Sequence, residues 1–154
     1  MIRTLDDLEA EGAALGVRVD INSPLAEGTL ADDARLRAHV DTVDELCRRD
    51  GRVVILAHQG RPGGEDFADL SSHAARLDEL LAAPVSYCDA TFGAAARDRI
   101  ADLDPGEAVL LENTRFYSEE YMSFEPAASN AGASFDTRCV SAAAAGSKDM
   151  YSSE

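Results

Sequence analysis

Val53-Val-Ile-Leu-Ala57 is the stretch that decides the fold. Five successive apolar residues without a polar interruption are typical of a strand buried on both faces, as in a parallel sheet covered by helices. The residues that follow, 58–66, form a Gly-rich segment that is expected to be a loop. A covered central strand predicts an α/β protein.

Strand and helix patterns alternate on either side of this run. Further strands are predicted at Leu15–Val19, Val85–Tyr87 and Ala108–Leu111. Helices are predicted from a cap at Asp32 or Asp33 to a stop at Gly51, from about Asp69 to Ala82, and around Phe92, Ala96 and Ile100. The order strand, helix, strand, helix, strand, helix, strand predicts a parallel sheet with helices on both faces.

The chain is strongly acidic, with a net charge of −15. Residues 1–126 hold 26 Asp and Glu, 12 Arg and no Lys. This balance argues against binding to nucleic acid or to an anionic membrane surface, both of which require a basic footprint. Such surfaces resemble those of proteins from salt-loving cells, although an ordinary acidic cytosolic protein is the alternative. No apolar stretch is long enough to span a membrane and the N-terminus has no apolar signal-peptide core, so a cytoplasmic location is predicted.

The three cysteines indicate neither a metal site nor a disulfide. Cys47, Cys88 and Cys139 are far apart and lack metal-ligand spacing. Cys47 falls in a helical pattern and Cys88 at the end of a strand, so both are predicted to be small buried side chains.

Polar clusters follow three of the predicted strands: Asp20-Ile-Asn22, His58-Gln-Gly-Arg61-Pro and Glu112-Asn-Thr-Arg115-Phe. Ligands of parallel sheets bind beyond the carboxyl ends of the strands. Arg35 lies in the first turn of a helix, where its charge opposes the helix dipole unless an anion binds there. Each residue alone has an ordinary explanation as a solvated charge or turn residue. Together they predict a site for a small phosphorylated or carboxylated metabolite.

Four motifs carry a resemblance to a known family. Arg18-Val-Asp-Ile-Asn-Ser-Pro24 resembles R-V-D-F-N-V-P, and Asp33-Ala-Arg-Leu36 resembles D-x-R-I. Ala57-His-Gln-Gly-Arg-Pro62 is similar to S-H-L-G-R-P with two substitutions, and Leu111-Glu-Asn-Thr-Arg-Phe116 is similar to L-E-N-L-R-F. In order and spacing they resemble the phosphoglycerate kinases, over roughly residues 4–126.

The resemblance implies a function and a site. The family transfers a phosphoryl group reversibly between 1,3-bisphosphoglycerate and ADP in glycolysis, is usually monomeric, and binds Mg-ATP or Mg-ADP in a second domain. The implied fold is the Rossmann-like three-layer N-terminal domain, here incomplete. The implied substrate-binding residues are Asp20, Asn22, Arg35, His58, Arg61 and Arg115. Asp20 and Asn22 would contact the glycerate end, and Arg35, the catalytic residue, would lie closest to the phosphoryl group in flight. The non-transferred phosphate would be held by His58, Arg61 and Arg115.

The match ends near Pro126. Residues 127–154 contain 8 Ala, 6 Ser and 2 Gly but no Leu or Ile, and are expected to be a disordered, non-matching tail from a shifted reading frame or a truncated gene. The family motif N-D-A-F-x-x-A-H-R, with a further substrate arginine, is absent. So is the nucleotide site, and no cofactor or metal residues are assigned.

The isolated chain is therefore expected to be inactive, the alternative being a non-catalytic fragment with at most weak 3-phosphoglycerate binding. Apolar surface beside the fourth strand is expected to lie uncovered, making the chain marginally stable. A regulatory module would need an acidic pocket, and a dinucleotide-binding domain would need G-x-G-x-x-G after a strand; neither pattern is present.

Overall fold

The computed structural model describes residues 4–117. Its main elements, in chain order, are β1 (Ala14–Arg18), β2 (Leu25–Ala26), β3 (Thr29–Leu30), α1 (Ala34–Arg48), β4 (Arg52–Leu56), α2 (Ser71–Leu80), β5 (Val85–Cys88), α3 (Ala94–Ala101) and β6 (Ala108–Leu111). The tail at 127–154 and Cys139 lie outside the described residues.

Strands β1, β4, β6 and β5 form one parallel sheet in that order. The predicted parallel α/β fold is confirmed. The expected open edge at the fourth predicted strand is wrong within residues 4–117, because that strand, β6, lies between β4 and β5. Within the described residues the edges are β1 and β5. Chain order differs from spatial order because a helical crossover can return the chain to either side of a strand.

The central strand β4 is covered on both faces, as its apolar run predicts. Val53 and Ile55 belong to a core formed with α1 and α2, whereas Val54 belongs to a second, smaller core that includes Leu103 beyond α3. Successive strand residues point to opposite faces, so each apolar residue of the run has a core to enter.

A short hairpin, β2–β3, occupies a segment predicted to be only a loop. Leu25 pairs with Leu30, and Ala26 pairs with Thr29. Glu27 and Gly28 have φ angles of 52° and 78°, which is the geometry of a two-residue turn with both φ values positive. Strands of two residues are too short to show an alternating pattern, so the sequence carried no signal for them.

The end of α1 differs in detail from its prediction. Gly51 was expected to stop the helix, but Asp50 adopts the left-handed conformation, with φ of 57°. The Asp50 N–H donates to the Cys47 carbonyl and the Gly51 N–H to the Leu46 carbonyl, which is a Schellman motif. Gly51 is required for packing instead, because a Cβ there would lie 2.8 Å from the Leu15 side chain.

The two cysteines within the described residues are free and buried, as predicted. Burial raises the pKa of Cys47 to about 11, and the nearby Asp44 carboxylate adds to the effect. No helix within residues 4–117 is both long and apolar enough to cross a membrane.

Candidate functional site

The six residues singled out in the sequence line one open pocket at the carboxyl ends of the strands. Its volume is about 430 Å³. The lining is Asp20, Asn22, Arg35, His58, Gly60, Arg61, Gly64, Asp66 and Arg115. Three arginines face two aspartates here, in a chain of net charge −15. The pocket is thus a locally cationic place on an acidic protein, and it suits a small anion.

Arg35 is held over the pocket by Asp20. Its Nη1 donates to Asp20 Oδ2 at 2.6 Å, and Asp20 Oδ1 accepts the N–H of Asn22 at 3.2 Å. Both partners of the ion pair are more than half exposed, at 52% and 59%. Exposed pairs contribute at most about 1 kcal/mol. An incoming anion can therefore recruit Arg35 at little cost.

The dipeptide Gln59–Gly60 joins all three strand-end loops. The Gly60 N–H donates to Asn22 Oδ1 at 2.9 Å, in the loop after β1. The Gly60 carbonyl accepts from Arg115 Nη1 at 2.7 Å, and the Gln59 carbonyl accepts from Asn113 Nδ2 at 2.8 Å, both in the segment after β6. We call Gln59–Gly60 the hub, since its backbone hydrogen bonds join the loops that line the pocket.

Gly60 cannot be replaced without moving the hub. Its φ is +65°, in the left-handed region that favours glycine. A Cβ at this position would lie 2.5 Å from the carbonyl oxygen of Asp66 and 2.7 Å from the Cα of Phe67. The positive φ angle and the lack of space for a Cβ therefore both require glycine. The space is missing because the backbone of residues 66 and 67 packs directly against Gly60.

Arg115 is positioned by a 3-10 turn at Thr114–Phe116. The N–H of Arg115 donates to Asn113 Oδ1 at 3.0 Å, which caps this turn. The same Asn113 side chain donates from its Nδ2 to the Ala68 carbonyl at 2.7 Å as well as to the hub. One fully buried amide thus sets the start of the turn that carries the arginine.

Glu112 stabilises the start of this turn through buried hydrogen bonds. Its buried carboxylate accepts the N–H groups of Leu70 and Asn113, at 3.2 and 2.6 Å, and the hydroxyl of Tyr87 at 2.5 Å. Burial and the hydrogen bond to Glu112 raise the pKa of Tyr87. A buried carboxylate is tolerated when hydrogen-bond donors surround it, and here those donors come from three separate segments.

Sequence reasoning missed this buried polar layer. Its members within the described residues are Ser23, Gln59, His73, Glu112 and Asn113. Two signals were available. His73 lies three residues after Leu70, on the apolar stripe of α2, where a polar residue is unexpected. Gln59 also stands where the similar motif S-H-L-G-R-P has an apolar leucine.

A larger depression, of about 530 Å³, lies between the hairpin and α2. Its charged residues are committed to one another, because Arg76 pairs with both Asp33 and Glu79. The hydrogen bonds from Arg37 and Arg76 lower the pKa of Asp33. This depression is lined by one arginine and three carboxylates, whereas the strand-end pocket is lined by three arginines and two aspartates, so the strand-end pocket suits an anion better. Among residues 4–117, no group of three or more His, Cys, Asp or Glu could hold a metal ion.

Comparison with known proteins agrees with the fold and the motifs. The sequence profile of the family "Phosphoglycerate kinase" matches residues 5–151. The phosphoglycerate kinase of Natronomonas pharaonis is 79% identical over 128 residues, which are 83% of this chain and 32% of that protein. That of Halobacterium salinarum is 74% identical over 126 residues, 81% of this chain and 32% of that protein.

A solved structure gives the same result. The crystal structure of phosphoglycerate kinase from Pyrococcus horikoshii superposes with a TM-score of 0.76 at 39% identity, over 81% of this chain and 31% of that one. The chain thus spans about a third of the length of the relatives that it matches. Sequence motifs, sheet and relatives agree, and the chain belongs to the phosphoglycerate kinase family.

Proposed function

We propose that the strand-end pocket binds 3-phosphoglycerate and 1,3-bisphosphoglycerate. The chain then supplies the glycerate-binding part of a cytoplasmic phosphoglycerate kinase, which transfers a phosphoryl group reversibly between 1,3-bisphosphoglycerate and ADP. The observation that carries this proposal is the convergence of Arg35, Arg61 and Arg115, from three separate segments, on one pocket. Arginine suits the flat, paired oxygens of phosphate and carboxylate groups.

The residues of the pocket suit the two ends of the substrate differently. Arg61, Arg115 and His58 lie together in it and would hold the phosphate that is not transferred. Asp20 and Asn22 would contact the glycerate end, where a hydroxyl donates to a carboxylate oxygen. Asn22 Oδ1 accepts the Gly60 N–H, and Asn22 Nδ2 would then be the group that donates to the substrate. An aspartate repels phosphate but accepts from a hydroxyl, and this contrast orients the ligand.

Arg35 would act on the reacting group. In the forward direction, the bond between the C1 carboxyl oxygen and phosphorus breaks while a β-phosphate oxygen of ADP forms the new bond to phosphorus. No proton needs to be removed from the nucleophile, because it is already an oxyanion. Negative charge spreads over the oxygens of the moving group, and a guanidinium beside them stabilises that charge.

Mg-ADP would be bound by a different part of the enzyme. In the relatives, that part would lie outside the third of the sequence that this chain matches. Within residues 4–117, no cluster of three or more His, Cys, Asp or Glu side chains could hold a metal ion. The 154-residue chain by itself is then proposed not to catalyse turnover. The alternative is a non-catalytic fragment that binds 3-phosphoglycerate at most weakly. It also predicts no turnover, and differs from the main proposal only in the expected affinity for 3-phosphoglycerate.

Titration of the purified 154-residue chain with 3-phosphoglycerate in about 2 M KCl tests the binding proposal. Amide chemical shifts should move for Asn22, Gly60 and Arg115, and the variant Arg115→Gln should weaken binding at least tenfold. Arg97→Gln on α3 is the matched control, because Arg97 is an exposed arginine away from the pocket. Absence of shifts at millimolar ligand in a chain shown to be folded by circular dichroism would reject the binding site.

A coupled assay with 1,3-bisphosphoglycerate and Mg-ADP tests the second part. We expect no turnover from the 154-residue chain alone. Turnover that co-purifies with the chain and disappears in Arg35→Gln would overturn the proposal that it is inactive by itself.

A further inference from the structure

We propose that Gln59 and His73 form a positioning pair that holds the loop after β1 and the loop after β4 at their substrate-binding separation. Neither residue lines the pocket, so both act through the residues that do. The inference rests on the proposed function for its consequence, but its geometry can be tested without ligand.

Gln59 pairs with the main chain of Ser23 as a neighbouring strand would. Its Oε1 accepts the Ser23 N–H at 3.0 Å, and its Nε2 donates to the Ser23 carbonyl at 2.9 Å. Nε2 also donates to the Asp66 carbonyl at 3.1 Å. The side chain is fully buried. One amide therefore ties together the segment after β1, the strand end of β4 and the far side of the loop 61–66.

The direction of the amide is decided by its surroundings. Two carbonyl oxygens, from Ser23 and Asp66, face one end, so that end must be the NH₂ group. The Ser23 N–H faces the other end, which must be the oxygen. A reversed amide would place oxygen against oxygen twice in a buried site, and unsatisfied buried polar groups are costly.

His73 completes the amide from α2. Its Nε2 lies 3.0 Å from Gln59 Oε1, and the imidazole is fully buried. Because Oε1 can only accept, the ring must carry its proton on Nε2. Burial lowers the pKa of His73 to about 4, against the opposing effects of the Asp69 carboxylate and the Ile21 carbonyl, so the ring is neutral at pH 7. Gln59 thereby uses both lone pairs and both N–H groups.

The consequence for the pocket follows from the order of residues. Ser23 is adjacent to Asn22, and Gln59 lies between His58 and Gly60. Three of these five positions line the pocket. A rotation of the Gln59 amide would separate the two loops, move the hub and spoil the joint grip on one ligand, because polar contacts weaken over a fraction of an ångström.

The test uses three variants of the full chain in about 2 M KCl. His73→Phe keeps a buried ring but removes the donor, whereas His73→Gln restores a donor near the position of Nε2. Leu77→Val is the matched control, because Leu77 is buried on the same face of α2 and belongs to the apolar core. Three quantities are measured: the Kd for 3-phosphoglycerate, the hydrogen-exchange rate of the Ser23 amide, and the unfolding midpoint.

We expect His73→Phe to raise the Kd for 3-phosphoglycerate at least tenfold and to increase the hydrogen-exchange rate of the Ser23 amide at least tenfold. His73→Gln should recover most of both losses. Leu77→Val should lower the unfolding midpoint while leaving the Kd for 3-phosphoglycerate and the Ser23 exchange rate within twofold of the wild type. The proposal is overturned if Leu77→Val, at the same loss of stability, changes the Kd and the Ser23 exchange rate as much as His73→Phe does. It is also overturned if His73→Phe changes neither the Kd nor the exchange rate, or if His73→Gln restores neither of them.

The exchange rate separates this inference from the proposed function. If the wild type binds no 3-phosphoglycerate but His73→Phe still releases the Ser23 amide, the proposed function fails and the positioning geometry stands. If His73→Phe does not fold, Gln59→Met provides the same comparison from the other partner, because it removes the paired amide with little change of volume.

Discussion

Acid destabilisation through His73 can be predicted in size as well as direction. The pKa of this histidine falls from 6.5 to about 4 on folding, chiefly because the ring is buried. Between these values the unfolded chain binds a proton that the folded chain does not. Stability contributed by the neutral ring is therefore complete above the unfolded pKa and is lost as the pH falls from about 6.5 towards 4. Each pKa unit corresponds to about 1.4 kcal/mol, so the loss approaches ~3 kcal/mol.

The assay compares urea unfolding of the wild type and of His73→Phe at pH values from 7.5 to 4, in about 2 M KCl. Many carboxylates also titrate in this range, but they are common to both proteins and cancel in the difference. The wild type should lose up to ~3 kcal/mol more than the variant between pH 7 and pH 4. The difference should change most steeply, by about 1.4 kcal/mol per pH unit, near pH 5.

Parallel curves for the two proteins would refute the reasoning. Parallel behaviour would mean that His73 keeps its ordinary pKa in the folded protein, and hence that it is hydrated or paired with a carboxylate. A direct check is the histidine proton signal, which should stay at its neutral position down to about pH 5.

Three further predictions concern stability and the hub. Gly60→Ala should lower the free energy of unfolding by at least ~2 kcal/mol and abolish 3-phosphoglycerate shifts, because a Cβ would lie 2.5 Å from the Asp66 carbonyl oxygen; Gly12→Ala, also at positive φ but with open space around it, is the control and should cost less. Glu112→Leu should cost about 2–4 kcal/mol in urea unfolding by leaving buried N–H groups of Leu70 and Asn113 unpaired, whereas Glu112→Gln keeps an acceptor oxygen and should cost less. The melting temperature should rise steadily between about 0.1 and 2 M KCl, because salt screens the repulsion behind a net charge of −15, and a flat or falling curve would contradict this account.

The parallel fold was predictable because its strands and helices carry strong periodic signals. The run at 53–57 and the predicted strand at 15–19 each lie within one residue of the observed strands. The sheet order was not predictable from the same signals, since a crossover helix can place the next strand on either side. The hairpin β2–β3 escaped prediction because two residues show no period.

For the site, the sequence by itself determined which polar residues follow the strands, because parallel strands bring their carboxyl ends to one edge. The grouping of Asp20, His58 and Arg115 into one site was therefore predictable without a structure. Only the tertiary structure decided what holds them, because Gln59, His73 and Asn113 meet across separations in sequence that no local pattern encodes. Hydrogen bonds in a buried site depend on direction and distance to a fraction of an ångström, and folding alone supplies that precision.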